Sequence, residues 1–186
     1  MSARLQDINQ AASAGCATKT AGIKKVWLIE NTDITAVTVT EVATKAEISA
    51  ITLSGANKAW ELTFTQDQTA FLNQTQANAT DPVDNNLFFS YDGISPEKID
   101  LLNGVKNGCA FSAFVQLASG TIIFIGRDYD YTANTNEEMT KPLQLKGQVN
   151  SGLGNNDSEK VVFEFVGQSK IFQLTTTLTA AALNAL

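Results

Sequence analysis

The chain has no histidine, and that absence removes a large part of enzyme chemistry. Ser-His-Asp and Cys-His nucleophile pairs, HExxH zinc sites and imidazole metal ligation are all excluded. Cysteine is nearly absent too. Cys16 and Cys109 lie far apart and make neither a metal cluster nor a disulfide framework. They read as two small buried side chains of a reduced, cytosol-made protein, with a single Cys16–Cys109 bridge as the minor alternative. No apolar run approaches the roughly 18 residues of a membrane span. The N-terminal Met1 to Gln10 has no apolar stretch of the signal-peptide kind, and Ala12 to Cys16 resembles a lipoprotein cleavage site only without its preceding apolar run. Basic residues are few, 13 against 19 acidic, for a net charge of −6. A chain without a basic patch does not grip nucleic acid by its phosphates, although it can face nucleic acid without adhering to it. No internal repeat is visible.

Carboxylate chemistry remains. Asp128 and Asp130 have period 2 and lie on one face of a strand end, with Glu137 and Glu138 nearby. The plain reading is a solvated acidic loop. A calcium site lacks EF-hand spacing, and a glycosidase pair needs a separation that sequence does not give. Asp128 and Asp130 are therefore weak metal candidates. Gly152-Leu153-Gly154 lacks the GK[ST] ending of a phosphate loop. The triplets at Asn73, Asn78 and Asn156 match the glycosylation acceptor pattern by chance in an Asn- and Thr-rich chain. No catalytic residue and no cofactor is expected, and an enzyme is the last of the readings.

What is present is β-structure. The 186 residues, 44% hydrophobic, suffice for one domain with a real core. Gly22–Glu30 reads as a strand apolar on both faces, with Ile23, Lys25, Trp27 and Ile29 on one side. Ile34–Thr40 and Glu47–Leu53 alternate. In Lys58–Gln66, Trp60, Leu62 and Phe64 form the clearest buried face of a half-exposed strand. Core packing is the main reading of Trp27 and Trp60, and a sugar-stacking platform the alternative. Gln68–Thr80 turns polar after Leu72 and suits an edge strand or a projecting hairpin. Asp128–Met139 reads as a polar loop, while Lys141–Asn150 and Glu159–Gly167 read as strands.

The best-punctuated stretch is Ser95–Asp128. Ser95-Pro96-Glu97 starts a helix: serine caps free N–H groups, proline suits the first helical position, and glutamate favours the positive end of the dipole. Leu101, Leu102 and Val105 give it one buried stripe; Lys106 sits in the last turn and Gly108 suits its left-handed end. A hairpin follows, its second strand Ile122–Ile125 apolar on both faces: it is central, or one face packs on the helix and the other on a second sheet or a neighbouring subunit. Phe111, Ile123, Phe124, Phe163 and Phe165 join Trp27, Trp60, Leu101 and Leu102 as the expected core and assembly residues. The expected architecture is mostly β: a sandwich or small barrel of about nine strands with one flanking α-helix and extended terminal arms. Residues 1–21 form an N-terminal arm, 22–168 the domain, and 169–186 a C-terminal arm.

Three pieces together carry a resemblance. Ala21-Gly-Ile-Lys-Lys-Val-Trp-Leu28 follows a lone cysteine; a short helix feeds a hairpin ending Phe124-Ile-Gly-Arg-Asp128; and Ser151-Gly-Leu-Gly-Asn-Asn-Asp157 leads into Val161–Gly167. This pattern, spanning residues 16–167, resembles tail tube (major tail) proteins of tailed bacteriophages and prophages of Bacteroidetes-type hosts; the segment after Gly167 departs from it. The resemblance implies a virion protein, made in the host bacterial cytoplasm. It would assemble with copies of itself into stacked, six-fold rings that DNA traverses without specific binding. Its other partners would be tail or connector proteins, with no membrane. Strands apolar on both faces are expected to need a neighbouring subunit. The alternatives are another virion part (head–tail connector, tail terminator or capsid decoration) and a carbohydrate-binding β-sandwich module.

Overall fold

The computed structural model describes residues 22–42, 45–55, 58–64, 69–106, 110–130, 135–139, 141–150, 159–172 and 174–186. The N-terminal arm, Cys16, Cys109, Gly108, Asn156 and the glycine-rich loop at 151–157 lie outside them.

The architecture is mostly β. Its strands are β1 (Ile23–Glu30), β2 (Ile34–Val42), β3 (Lys45–Leu53), β4 (Trp60–Thr63), β5 (Ala70–Thr75) and β6 (Val83–Asp92), followed by helix α1 (Pro96–Lys106). Then come β7 (Phe111–Leu117), β8 (Ile122–Ile125), β9 (Arg127–Asp130), β10 (Thr135–Glu138), β11 (Lys141–Asn150), β12 (Lys160–Ser169), β13 (Thr175–Thr176) and helix α2 (Ala180–Asn184). One sheet runs β2-β3-β13-β8-β7-β1-β4, and a second runs β11-β12-β6-β5. Among the described residues only the pairing of Leu143 with Phe111 joins them. The inner faces of the two sheets close on each other as a sandwich. Between them sit Val26, Leu28, Trp60, Leu62, Leu87, Phe89, Tyr91, Phe111, Val115, Phe163 and Phe165. Alternation puts these residues on one side of each strand.

Helix α1 starts as its residues dictate. Lys98 N–H donates to Ser95 Oγ at 3.4 Å and Ile99 N–H to the Ser95 carbonyl at 3.1 Å. Glu97 is exposed at this end, and backbone and Ser95 hydrogen bonds hold its carboxyl below the usual range. Leu101 and Val105 are buried in the sandwich core, and Leu102 packs at its margin. The helix lies against β11 and β12. There Leu102 occupies the space a Cβ at Gly147 would need.

Strand β8 is central, between β7 and β13. Its second apolar face, however, is not left for another subunit. Trp27, Ile29, Ile48, Ile51, Phe114, Ile122 and Phe124 form a second core with Leu183, flanked by Leu174, Leu178 and Leu186. The chain's own C-terminal segment covers this face. β13 pairs parallel to β3 and antiparallel to β8. Phe124 N–H donates to the Leu174 carbonyl at 2.9 Å, and Thr177 N–H to the Ile48 carbonyl at 3.0 Å. Helix α2 is capped by Thr179, whose hydroxyl accepts from Ala182 N–H at 3.2 Å. Trp27 Nε1–H closes the contact on Asn184 Oδ1 at 2.6 Å.

Three local readings change. A register shift between Ile23 and Lys25 breaks the alternation of β1, so Ile23 joins Val26 and Leu28 in the sandwich core while Trp27 and Ile29 face the second. A second shift, where Thr38 pairs with Ala50 and Val39 with Ile48, leaves Ser49 unpaired and brings Ile48 and Ile51 into one core. Finally, Asp128–Met139 is not simply a loop: β9 and β10 pair, Asp128 opposite Glu137 and Asp130 opposite Thr135. These two strands and β13 help raise the number of strands above the expected nine.

Gly126 separates β8 from β9 with φ +107°, and a Cβ there would lie 2.5 Å from Ser112 Cα and 2.6 Å from the Phe111 carbonyl oxygen. Both neighbours are backbone and neither can rotate away. Gly126→Ala is expected to cost about 3 kcal/mol, combining left-handed strain with overpacking. A urea-denaturation midpoint unchanged from the parent protein would contradict this.

Candidate functional site

The expected core and assembly residues divide between the two cores. Trp60, Leu101, Phe111, Phe163 and Phe165 are buried in the sandwich core, with Leu102 and Ile123 at its margin. Trp27 and Phe124 are in the second core. Trp27 is fully buried and Trp60 only 5% exposed, so neither offers a ring face to a sugar. Aromatic contact runs through the sandwich: Phe89 stacks on Phe163 at 5.1 Å, and Phe111 meets Phe165 edge-on at 5.5 Å.

The acidic corner serves the fold. Asp128 and Asp130 share one face of β9, as period 2 predicts, but Asp128 is completely buried. Its Oδ1 accepts the Lys170 N–H at 2.8 Å, and Glu137 pairs with Lys170 Nζ at 2.8 Å. Burial pushes the Asp128 carboxyl above its usual value, against the opposing pull of the Lys170 N–H and charge. The corner thus clasps the chain where β12 passes into the C-terminal segment. Among the described residues no group of three or more His, Cys, Asp or Glu is placed to hold a metal. Among those residues, too, no helix is long and apolar enough to cross a membrane.

The outer face of the second sheet carries a depression. Strand registers align its residues in rows across β5, β6, β12 and β11. Phe71, Phe88, Glu164 and Lys146 form one row; Asn73, Asn86, Val166 and Gln144 the next; Thr75, Asp84, Gln168 and Lys141 the third. The second and third rows, with Glu164 and Lys146, line a depression of about 680 Å³. Within it Asn86 Nδ2 donates to Glu164 Oε1 at 2.9 Å, and Gln168 Nε2 to Asp84 Oδ1 at 2.7 Å. Phe71 and Phe88 stack at 4.9 Å with ring planes 11° apart, and Phe71 is 41% exposed.

Sequence reasoning missed this face. Its alternation is present in Phe71-Leu72-Asn73-Gln74-Thr75, but the rows depend on pairing β6 with β12, some eighty positions later in the chain. No family model, no curated protein and no solved structure matches the chain.

Proposed function

We propose that this chain is a structural virion protein of tail-tube type, self-assembling into stacked rings, six-fold in symmetry, for the passage of phage DNA. The observation that carries the reading is the edge of the second sheet. Among the described residues β5 pairs only with β6, and its sequence Ala-Phe-Leu-Asn-Gln-Thr holds no proline and no charged residue. Proteins that stay monomeric blunt such an edge with lysine, proline or a bulge. Joining it to a different edge of a neighbouring copy makes a heterologous contact, and such contacts form rings where the rotation between copies closes. At the other sheet's ends, among the described residues, β2 pairs only with β3 and β4 only with β1, which offers edges for that complementary role.

The resemblance in residues 16–167 supplies the identity of the assembly, and the flanking helix on a β-sandwich agrees with it. Net charge −6 suits a conduit, because like charge keeps DNA from adhering to its wall. Copies of the chain are the first partner, tail or connector proteins the next, and the virion tail the location.

Thr75→Lys tests the edge without touching either core, since Thr75 is exposed on β5. Mass photometry of the parent protein is expected to show a ring-sized species, and the variant a shift toward monomer of about tenfold or more in dissociation constant, the effect of 1.4 kcal/mol. A parent protein that stays monomeric, or a variant that assembles equally well, would overturn the role given to β5.

A further inference from the structure

The depression on the outer face of the second sheet has a chemistry that ring assembly does not use. We infer that it is a binding site for a neutral glycan chain. This does not rest on the tail-tube reading, since it concerns the face of the sheet and not its edges.

β6 and β12 are paired on both sides, so their backbone groups are engaged in the sheet and only side chains meet a ligand. An extended peptide seeks free backbone groups at an edge and finds none in the middle of this face. The side chains are those that match hydroxyl groups. Asn73, Gln144 and Gln168 offer amide groups, and Asp84 and Glu164 keep carboxylate lone pairs that can accept from hydroxyls. The bonds from Asn86 to Glu164 and from Gln168 to Asp84 hold three of these groups in place before any ligand arrives.

Charge decides against an ionic polymer. Asp84 and Glu164 are balanced by Lys141 and Lys146, so the face has no net field to collect phosphate or uronate. Phe71 and Phe88 then supply what hydroxyl recognition lacks. Their stacked pair continues the row of Glu164 and Lys146, and the exposed face of Phe71 suits the C–H side of a sugar ring. The volume of about 680 Å³ lies within the range of roughly 300–1,000 Å³ common for ligand sites.

The test is isothermal titration of the full chain with cellohexaose, xylohexaose and N-acetylchitohexaose. At least one is expected to bind with a dissociation constant of about 10 μM to 1 mM. Phe71→Ala and Gln144→Ala, both at exposed positions, should each weaken that binding by about fivefold or more while leaving the unfolding transition in place. No heat from any of the three up to about 5 mM, or binding that both variants retain, would overturn the site. So would equal binding of an unglycosylated Gly/Ser/Gln peptide of similar length, which would make the face a protein-docking surface.

Discussion

Replacing Phe89 by alanine is expected to lower the unfolding free energy by about 3–5 kcal/mol, a large part of the roughly 5–15 kcal/mol that holds a domain folded. Phe89 is completely buried on β6 and touches more of the aromatic core than any neighbour. It lies 5.1 Å from Phe163, 5.2 Å from Phe64, 5.9 Å from Phe165 and 6.0 Å from Tyr91. Alanine loses the transfer energy of the ring and leaves a cavity walled by Phe64, just after β4, and by side chains from β6 and β12. β6 and β12 are held in one sheet and Phe64 is tied by its N–H to Lys24 of the other, so the walls cannot all move inward. Tyr91 borders the same site, and burial pushes its hydroxyl's pKa far above the ordinary tyrosine value. Urea denaturation should show a lower midpoint with little change of slope. A loss below about 1 kcal/mol would mean that the two sheets are not closed on each other at this point.

Removing residues 174–186 is expected to be as damaging, for a different reason. It takes away β13, Leu174, Leu178, Leu183 and Leu186, and uncovers Trp27, Ile29, Ile48, Phe114 and Phe124. It also leaves Trp27 Nε1–H without Asn184 and separates β3 from β8. An apolar patch of this kind on a free sheet leads to association. The truncated chain should therefore bind ANS, aggregate, and lose its cooperative transition. Leu183→Ala is the milder version, expected to cost about 2–4 kcal/mol at a fully buried position. A truncated chain that stays soluble with the parent's urea midpoint would make the C-terminal segment a detachable arm.

These two predictions also mark how far the fold was legible in the sequence. The half-buried face of Trp60, Leu62 and Phe64 and the helix start at Ser95-Pro96-Glu97 are local patterns, and both appear as read. So does the central position of Ile122–Ile125, since a strand apolar on both faces needs cover twice. What covers it was not legible. The answer lies in Leu174–Leu186, about fifty residues further on, where the spacing of apolar residues is too irregular to announce a partner. Bulges are the other limit. One unpaired residue near Ser49 and a shift after Ile23 reverse the faces of β3 and β1, and alternation counted along the sequence runs straight through both. Asp128 shows the same limit at the acidic corner: its period with Asp130 was visible, but its burial and its bond from the Lys170 N–H were not. The polar rows on the second sheet were beyond reach, because they exist only once β5, β6, β12 and β11 are placed side by side.

The finding on β8 narrows what can support assembly. Doubly apolar strands no longer call for a neighbouring subunit, because the chain covers its own second core. The case for rings rests instead on the edge of β5, which has one strand partner among the described residues, and on the resemblance over residues 16–167. Negative-stain imaging of the purified full chain, with mass photometry on the same sample, tests that case most directly. The account predicts closed six-fold rings, singly or stacked into tubes of even diameter. A homogeneous monomer across the concentrations used for imaging would contradict it.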